Sequence, residues 1–169
     1  MLFRSLYVDD MIFTGDLEID EFKEAMMKEF EMTDLGLMKY FLGIEVEQSK
    51  KGIFIFQNKD AKYLLKRFKM DNSKPVPTPV ATGTKLSKDD EGVDVNPTLF
   101  KRLVGSLMYL TATKPDIMEG VSLISRFMET QKDTHWSVGK IILRYISRTR
   151  YFCIVTPLVY VFEFQKLDI

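Results

Sequence analysis

One cysteine, one histidine and one tryptophan in 169 residues remove several classes of chemistry at once. Cys153 cannot form an internal disulfide, which excludes a disulfide-stapled scaffold and suits a reducing compartment. His135 has no second metal-ligating side chain near it in sequence and reads as a packing or capping residue rather than a metal ligand. No apolar run reaches the length needed to span a bilayer, and the first residues lack a basic segment ahead of a long apolar one. A soluble, intracellular protein without a membrane partner is expected, cytoplasmic or nuclear. Net charge is also missing, with 24 basic residues against 24 acidic ones.

The charge is unevenly placed. Residues 1–50 hold twelve acids and five bases, 51–88 hold two acids and nine bases, and 100–153 hold four acids and nine bases. An acidic opening followed by two basic segments points to an anionic partner along the later chain. With 46% apolar residues the chain can bury a core of one domain or two small ones.

Patterning gives an α+β order. Leu2–Val8 and Met11–Thr14 read as strands joined at Asp9-Asp10. Ile19, Phe22, Met26, Met27 and Phe30 recur at helical spacing, and Thr33–Gly36 reads as a break. Tyr40–Gln48 reads as one alternating strand, returning through a Ser49–Gly52 turn into Ile53–Phe56. Asn58 is expected to cap a helix over 59–70 with Ala61, Leu64, Leu65 and Phe68 inside. "SKPVPTPV" and "SKDDEGVDVNP" form an extended polar connection, since each proline fixes its own φ and restricts its predecessor. Asn96-Pro97 then starts a helix with Phe100, Leu103, Val104, Leu107 and Met108 inside. Two further helices follow, one carrying Ile117, Val121, Ile124 and Met128, the other Trp136, Leu143 and Ile146.

Two adjacent acids at a hairpin tip suit a divalent metal with hard oxygen ligands. Acids also favour turns for local hydrogen-bonding reasons, so the pair alone decides nothing. Its setting adds more. "YVDDMIFTG" at 7–15 resembles the catalytic hairpin of reverse transcriptases of the copia-type retrotransposon Pol polyprotein. "MTDLG" at 32–36, "YFLGIEV" at 40–46, "LLKRF" at 64–68, "KPVPTP" at 74–79, "LVGSLMYLTATKPDI" at 103–117, "SLISRFM" at 122–128, "HW" at 135–136 and "ILRYI" at 142–146 carry the resemblance on in order.

The resemblance implies a partial polymerase palm over 1–73, a linker over 74–97, a helical thumb over 98–150 and a divergent tail over 151–169. It implies Asp9 and Asp10 as catalytic metal ligands for Mg²⁺ or Mn²⁺, and Tyr7 and Val8 beside the primer terminus. Phe41, Leu42 and Gly43 would form a primer-grip strand. The partner implied is a template-primer duplex of RNA or DNA. Lys59, Lys62, Lys66 and Lys69, and Lys140, Arg144 and Arg148 at every fourth residue, form basic stripes suited to sequence-neutral phosphate contacts.

The family's other catalytic aspartate lies on a strand well upstream, with the fingers and the nucleotide-binding segment. Only a few residues precede Tyr7, so these pieces are expected to be missing and the palm sheet to expose an edge. Two functions compete: a fragment of an RNA-directed DNA polymerase, inactive alone and completed by the missing segments, or a non-catalytic nucleic-acid-binding or pseudogene-derived protein.

Overall fold

Apolar residues in 3–7 and 10–14 let these two segments pair with each other. β1 (Phe3–Tyr7) and β2 (Asp10–Thr14) are antiparallel, Phe3 opposite Thr14 and Tyr7 opposite Asp10. The computed structural model describes residues 3–7, 10–14, 19–30, 32–49, 51–88, 92–150, 154–156 and 161–166. These fall into two units, one of residues 1–55 with 154–169, the other of residues 56–153.

In the first unit, α1 (Ile19–Phe30) packs Phe22 and Met26, together with Met11, against Met32, whereas Met27 and Phe30, placed by spacing among the apolar positions, are exposed. Residues 32–37, which include the expected break, are instead a strand, β3 (Met32–Leu37). The turn-forming residues there build a bulge: pairing skips between Asp34 and Gly36, and Asp34 Oδ1 accepts the Gly36 N–H at 2.8 Å. Lys23 of α1 pairs with Asp34 at 2.9 Å.

The single strand expected over Tyr40–Gln48 is two. β4 (Tyr40–Phe41) and β5 (Ile44–Ser49) are joined by Leu42-Gly43, at φ 46° and 81°. A two-residue hairpin with both central φ positive matches strand twist, and glycine at its second position removes the Cβ penalty. β6 (Gly52–Phe56) returns beside β5 as expected.

The tail departs most from expectation. It supplies β7 (Ile154–Thr156), antiparallel to β6, and β8 (Val161–Lys166), which lies between β2 and β3. The unit therefore holds two four-stranded sheets, ordered β1-β2-β8-β3 and β4-β5-β6-β7. The chain's own tail pairs with both β2 and β3, and the outer strands of that sheet are β1 and β3.

The second unit is helical: α2 (Asn58–Arg67), α3 (Pro97–Leu110), a 3-10 turn Pro115–Ile117, α4 (Met118–Ser125) and α5 (Asp133–Arg148). Asn96 caps α3 as its sequence predicts, its Oδ1 accepting the Leu99 N–H at 3.0 Å ahead of Pro97. Asn58 is not the cap of α2; it is the first helical residue, after Gln57. Ala61, Leu64, Phe100, Leu103, Leu107, Ile124, Ile142 and Ile146 fill one core. Met108, expected inside on α3, is exposed, and Met128 packs against the core from beyond the end of α4. A Cβ on Gly139 would lie 2.7 Å from Leu103 Cδ2, so glycine there permits the close approach of α5 to α3.

By compactness α2 groups with the later helices. Segment 74–88 runs along this helical unit, with Val80 and Leu86 against its core. His135 ties the segment down. Fully buried, its Nδ1 accepts the Lys132 N–H at 3.0 Å at the start of α5. Its Nε2 then donates to the Ser87 carbonyl at 3.0 Å, and its ring stacks on Phe127. Of packing and capping, the two roles read from the sequence, His135 takes both.

Candidate functional site

Strand alternation decides which residues share a face with Asp10. Met11 packs toward Met32 and α1, so Asp10 and Ile12 belong to the opposite face of the sheet. Register puts Asp10 across from Tyr7 on one side and Gln165 on the other, and Ile12 across from Ser5 and Glu163. Val8 and Asp9, the other members of the predicted site, lie outside the described residues. Glu163, in the tail beyond the resemblance, is an acid that the topology brings to the face of Asp10 and that local sequence could not reveal. Among the described residues no group of three or more His, Cys, Asp or Glu side chains gathers as metal ligands. Carboxylate oxygens suit Mg²⁺ or Mn²⁺, but the described donors amount to part of the set such an ion requires.

Of the predicted primer-grip residues, Phe41 is in a strand and Leu42-Gly43 form a turn. Phe41 ends β4 half-buried, and Leu42 and Gly43 are the hairpin loop, with Leu42 exposed.

The basic residues are only partly as predicted. Lys59, Lys62 and Lys66 are exposed on α2. Lys69 is exposed too, but it lies past the helix end at φ 56°, so it leaves the helical face. On α5, Lys140 is exposed and sits 5.8 Å over the Trp136 ring. Arg148 is exposed, whereas Arg144 is half-buried and its Nε donates to the Lys74 carbonyl at 2.6 Å. Part of Arg144 thus anchors the connecting segment. The two stripes belong to one body, since α2 and α5 pack together and Phe68 and Trp136 meet at 5.9 Å between ring centroids.

"KPD" at 114–116 carries a structural role that spacing alone did not reveal. Lys114 is fully buried and its Nζ donates to the Thr149 carbonyl at the end of α5. Asp116 Oδ2 accepts a 2.6 Å bond from the Tyr145 hydroxyl on the same helix. That bond, then burial and the Asp116 charge, push the Tyr145 phenol up to about 12, with Arg148 opposing. The fold therefore prefers the protonated phenol. This contribution to stability is complete below pH 10, the ordinary tyrosine range, and is lost as pH rises from there through about 12. Tyr145→Phe should remove the late-ionising component from a phenolate absorbance titration and flatten the alkaline loss of stability. An unchanged titration would show that Tyr145 is not the residue held up.

With this geometry in place, comparison with known proteins adds identity. A family described as "Reverse transcriptase (RNA-dependent DNA polymerase)" matches residues 1–82. The chain is 38% identical over 160 residues to the retrovirus-related Pol polyprotein from transposon TNT 1-94 of Nicotiana tabacum. The match covers 88% of this chain and 12% of that protein. The Pol polyprotein from transposon RE2 of Arabidopsis thaliana is 34% identical over 151 residues, covering 88% of this chain and 10% of its own. Over residues 1–82 the chain matches the reverse transcriptase family, and over most of its length it is similar to copia-type Pol polyproteins.

It spans only about a tenth of the length of those two relatives. An uncharacterized mitochondrial protein of Arabidopsis thaliana is 32% identical over 150 residues, with 62% of that protein covered. No solved structure matches. Among the described residues no helix is long and apolar enough to cross a membrane.

Proposed function

We propose that this reverse transcriptase relative holds a template-primer duplex and contributes part of a nucleotidyl-transfer site. The observation that carries the reading is the set of exposed cations on two packed helices of one body: Lys59, Lys62 and Lys66 on α2, Lys140 and Arg148 on α5. Phosphate contacts of this kind position a duplex without reading its sequence, which suits a polymerase. In this reading residues 1–73 act as partial palm and 98–150 as thumb, with Tyr7 and Val8 near the primer terminus and the Phe41–Gly43 turn against the primer. Asp9 and Asp10 would hold Mg²⁺ or Mn²⁺, which supplies charge neutralisation for phosphoryl transfer. Template and primer, and polymerase segments beyond these residues, are the partners.

The partial donor set around Asp10 favours a second reading for the isolated chain: nucleic-acid binding without catalysis, as in a pseudogene-derived product. Both readings require duplex binding. Affinity for an RNA–DNA or DNA duplex should fall steeply with salt, by close to one power of salt concentration for each phosphate contact. Replacing Lys140, Arg144 and Arg148 together by Ala should lower that slope by about two, because Arg144 is already engaged with Lys74. Fluorescence anisotropy across a salt series measures it. An unchanged slope would eliminate the α5 stripe as a phosphate surface.

A further inference from the structure

The chain leaves α2 through a cation-rich reversal. Residues 66–74 read Lys-Arg-Phe-Lys-Met-Asp-Asn-Ser-Lys, four cations against Asp71 alone. Helices commonly end on a residue in the left-handed conformation, which glycine adopts without a Cβ penalty. Here a lysine adopts it: Lys69 has φ 56°. Main-chain bonds close the reversal, with Lys69 N–H donating to the Lys66 carbonyl at 3.0 Å and Met70 N–H to the Leu65 carbonyl at 2.8 Å. Phe68 and Met70 pack against the helical core. The Ser73 N–H and hydroxyl both donate to the Met70 carbonyl, at 3.1 and 2.6 Å. The path from α2 to Lys74 is therefore held by hydrogen bonds and by two packed side chains.

That path ends on α5. It starts where Phe68 meets Trp136, the ring over which Lys140 lies. It arrives where Arg144 Nε donates to the Lys74 carbonyl at 2.6 Å, about two helical turns beyond Trp136. Lys74 is thereby set beside the stripe of Lys140, Arg144 and Arg148. The bond uses the main chain of Lys74, so its ammonium takes no part in the anchor, and both Lys69 and Lys74 are exposed. Were Arg144 only a latch for the connection, any residue at 74 would serve, because every residue carries a carbonyl.

We propose that Lys74 is a phosphate contact, positioned by Arg144, and that residues 66–74 join the cations of α2 and α5 into one band for a nucleic-acid duplex. This rests on the duplex binding proposed above and supplies what links its two stripes. Phosphate contacts fix the register and orientation of a duplex, and a cation between the helices ties both to the same one.

Lys74→Ala in the whole chain tests this, because it keeps the carbonyl that Arg144 holds and removes the ammonium. Fluorescence anisotropy with an RNA–DNA duplex across a salt series gives the slope of log affinity against log salt. Lys74→Ala should lower that slope by about one, and Lys74→Arg should restore it. Combined with Lys140→Ala and Arg148→Ala, the fall should reach about three. The urea midpoint followed by Trp136 should match that of the parent. A slope unmoved by Lys74→Ala but lowered by the Lys140→Ala, Arg148→Ala pair overturns this inference and leaves the duplex surface standing. A fall that Lys74→Arg does not restore, or a lowered urea midpoint in Lys74→Ala, overturns it as well. A parent that binds no duplex, or a slope that the pair does not move, overturns the function proposed above and this inference with it.

Discussion

Lys114→Ala should destabilise the helical unit by about 3 kcal/mol or more, among the larger costs a single substitution produces. Lys114 is fully buried, and its Nζ bonds to the carbonyl of Thr149, the residue that ends α5. Helix ends leave carbonyls without intrahelical partners, and a cation there also meets the negative end of the helix dipole. Truncation to alanine would leave a cavity where the four-carbon stem was and a carbonyl without its donor. Lys114→Met separates the two effects, because methionine refills most of the volume and returns no hydrogen bond. It should cost about 1–2 kcal/mol, below the alanine value, since removing a buried ammonium also removes its desolvation penalty. Urea denaturation followed by Trp136, the sole tryptophan and a residue of α5, reads this unit directly. Equal costs for the two variants would mean that packing contributes nothing at this site.

Elements whose signal is local were legible in the sequence, and those made by distant pairing were not. Periodicity at Phe22 and Met26, at Leu64 and Leu65, and at Leu103 and Leu107 sufficed to locate α1, α2 and α3, because one helix face repeats every three or four residues. Thr33–Gly36 misled because Asp and Gly mark a bulge inside a strand by the same chemistry that marks a strand's end. The Leu42-Gly43 hairpin was hidden in an alternation that continued across it. β8 was beyond reach altogether: its partners lie more than a hundred residues away, and its own sequence says only that it can be a strand.

The candidate site shows the same division. Asp10 and the exposed cations of α2 and α5 could be found from motif and spacing. Glu163 reached the face of Asp10 through topology alone, and the partial engagement of Arg144 depends on Lys74, seventy residues earlier. Lys114 and Asp116 stood inside a quoted motif, yet their work in holding α5 depends on Thr149 and Tyr145. A contiguous pattern cannot announce partners of that kind.

These 169 residues, purified by themselves, are expected to add no nucleotide to a primer on an RNA template with Mg²⁺ or Mn²⁺, at least about a thousandfold below a complete polymerase. Two-ion phosphoryl transfer needs carboxylates from more than one strand, because neighbouring strand residues face opposite ways. Asp9 and Asp10 are adjacent in sequence, and Asp9 lies outside the described residues. The acid that topology adds to the face of Asp10 is Glu163, two positions from Gln165, the direct partner of Asp10, and the described residues gather no third ligand beside it. Transfer also requires the incoming triphosphate to be held in line with the attacking hydroxyl, and misplacement by an ångström costs about a hundredfold. The comparison that decides is primer extension by the parent beside a chain with Asp9→Asn and Asp10→Asn, with Glu163→Gln as a third arm. No incorporation in any arm, alongside intact duplex binding, is the expected outcome. Incorporation by the parent that disappears in the Asp variant would refute inactivity. Loss in the Glu163 arm as well would then identify the tail strand as the source of the missing carboxylate.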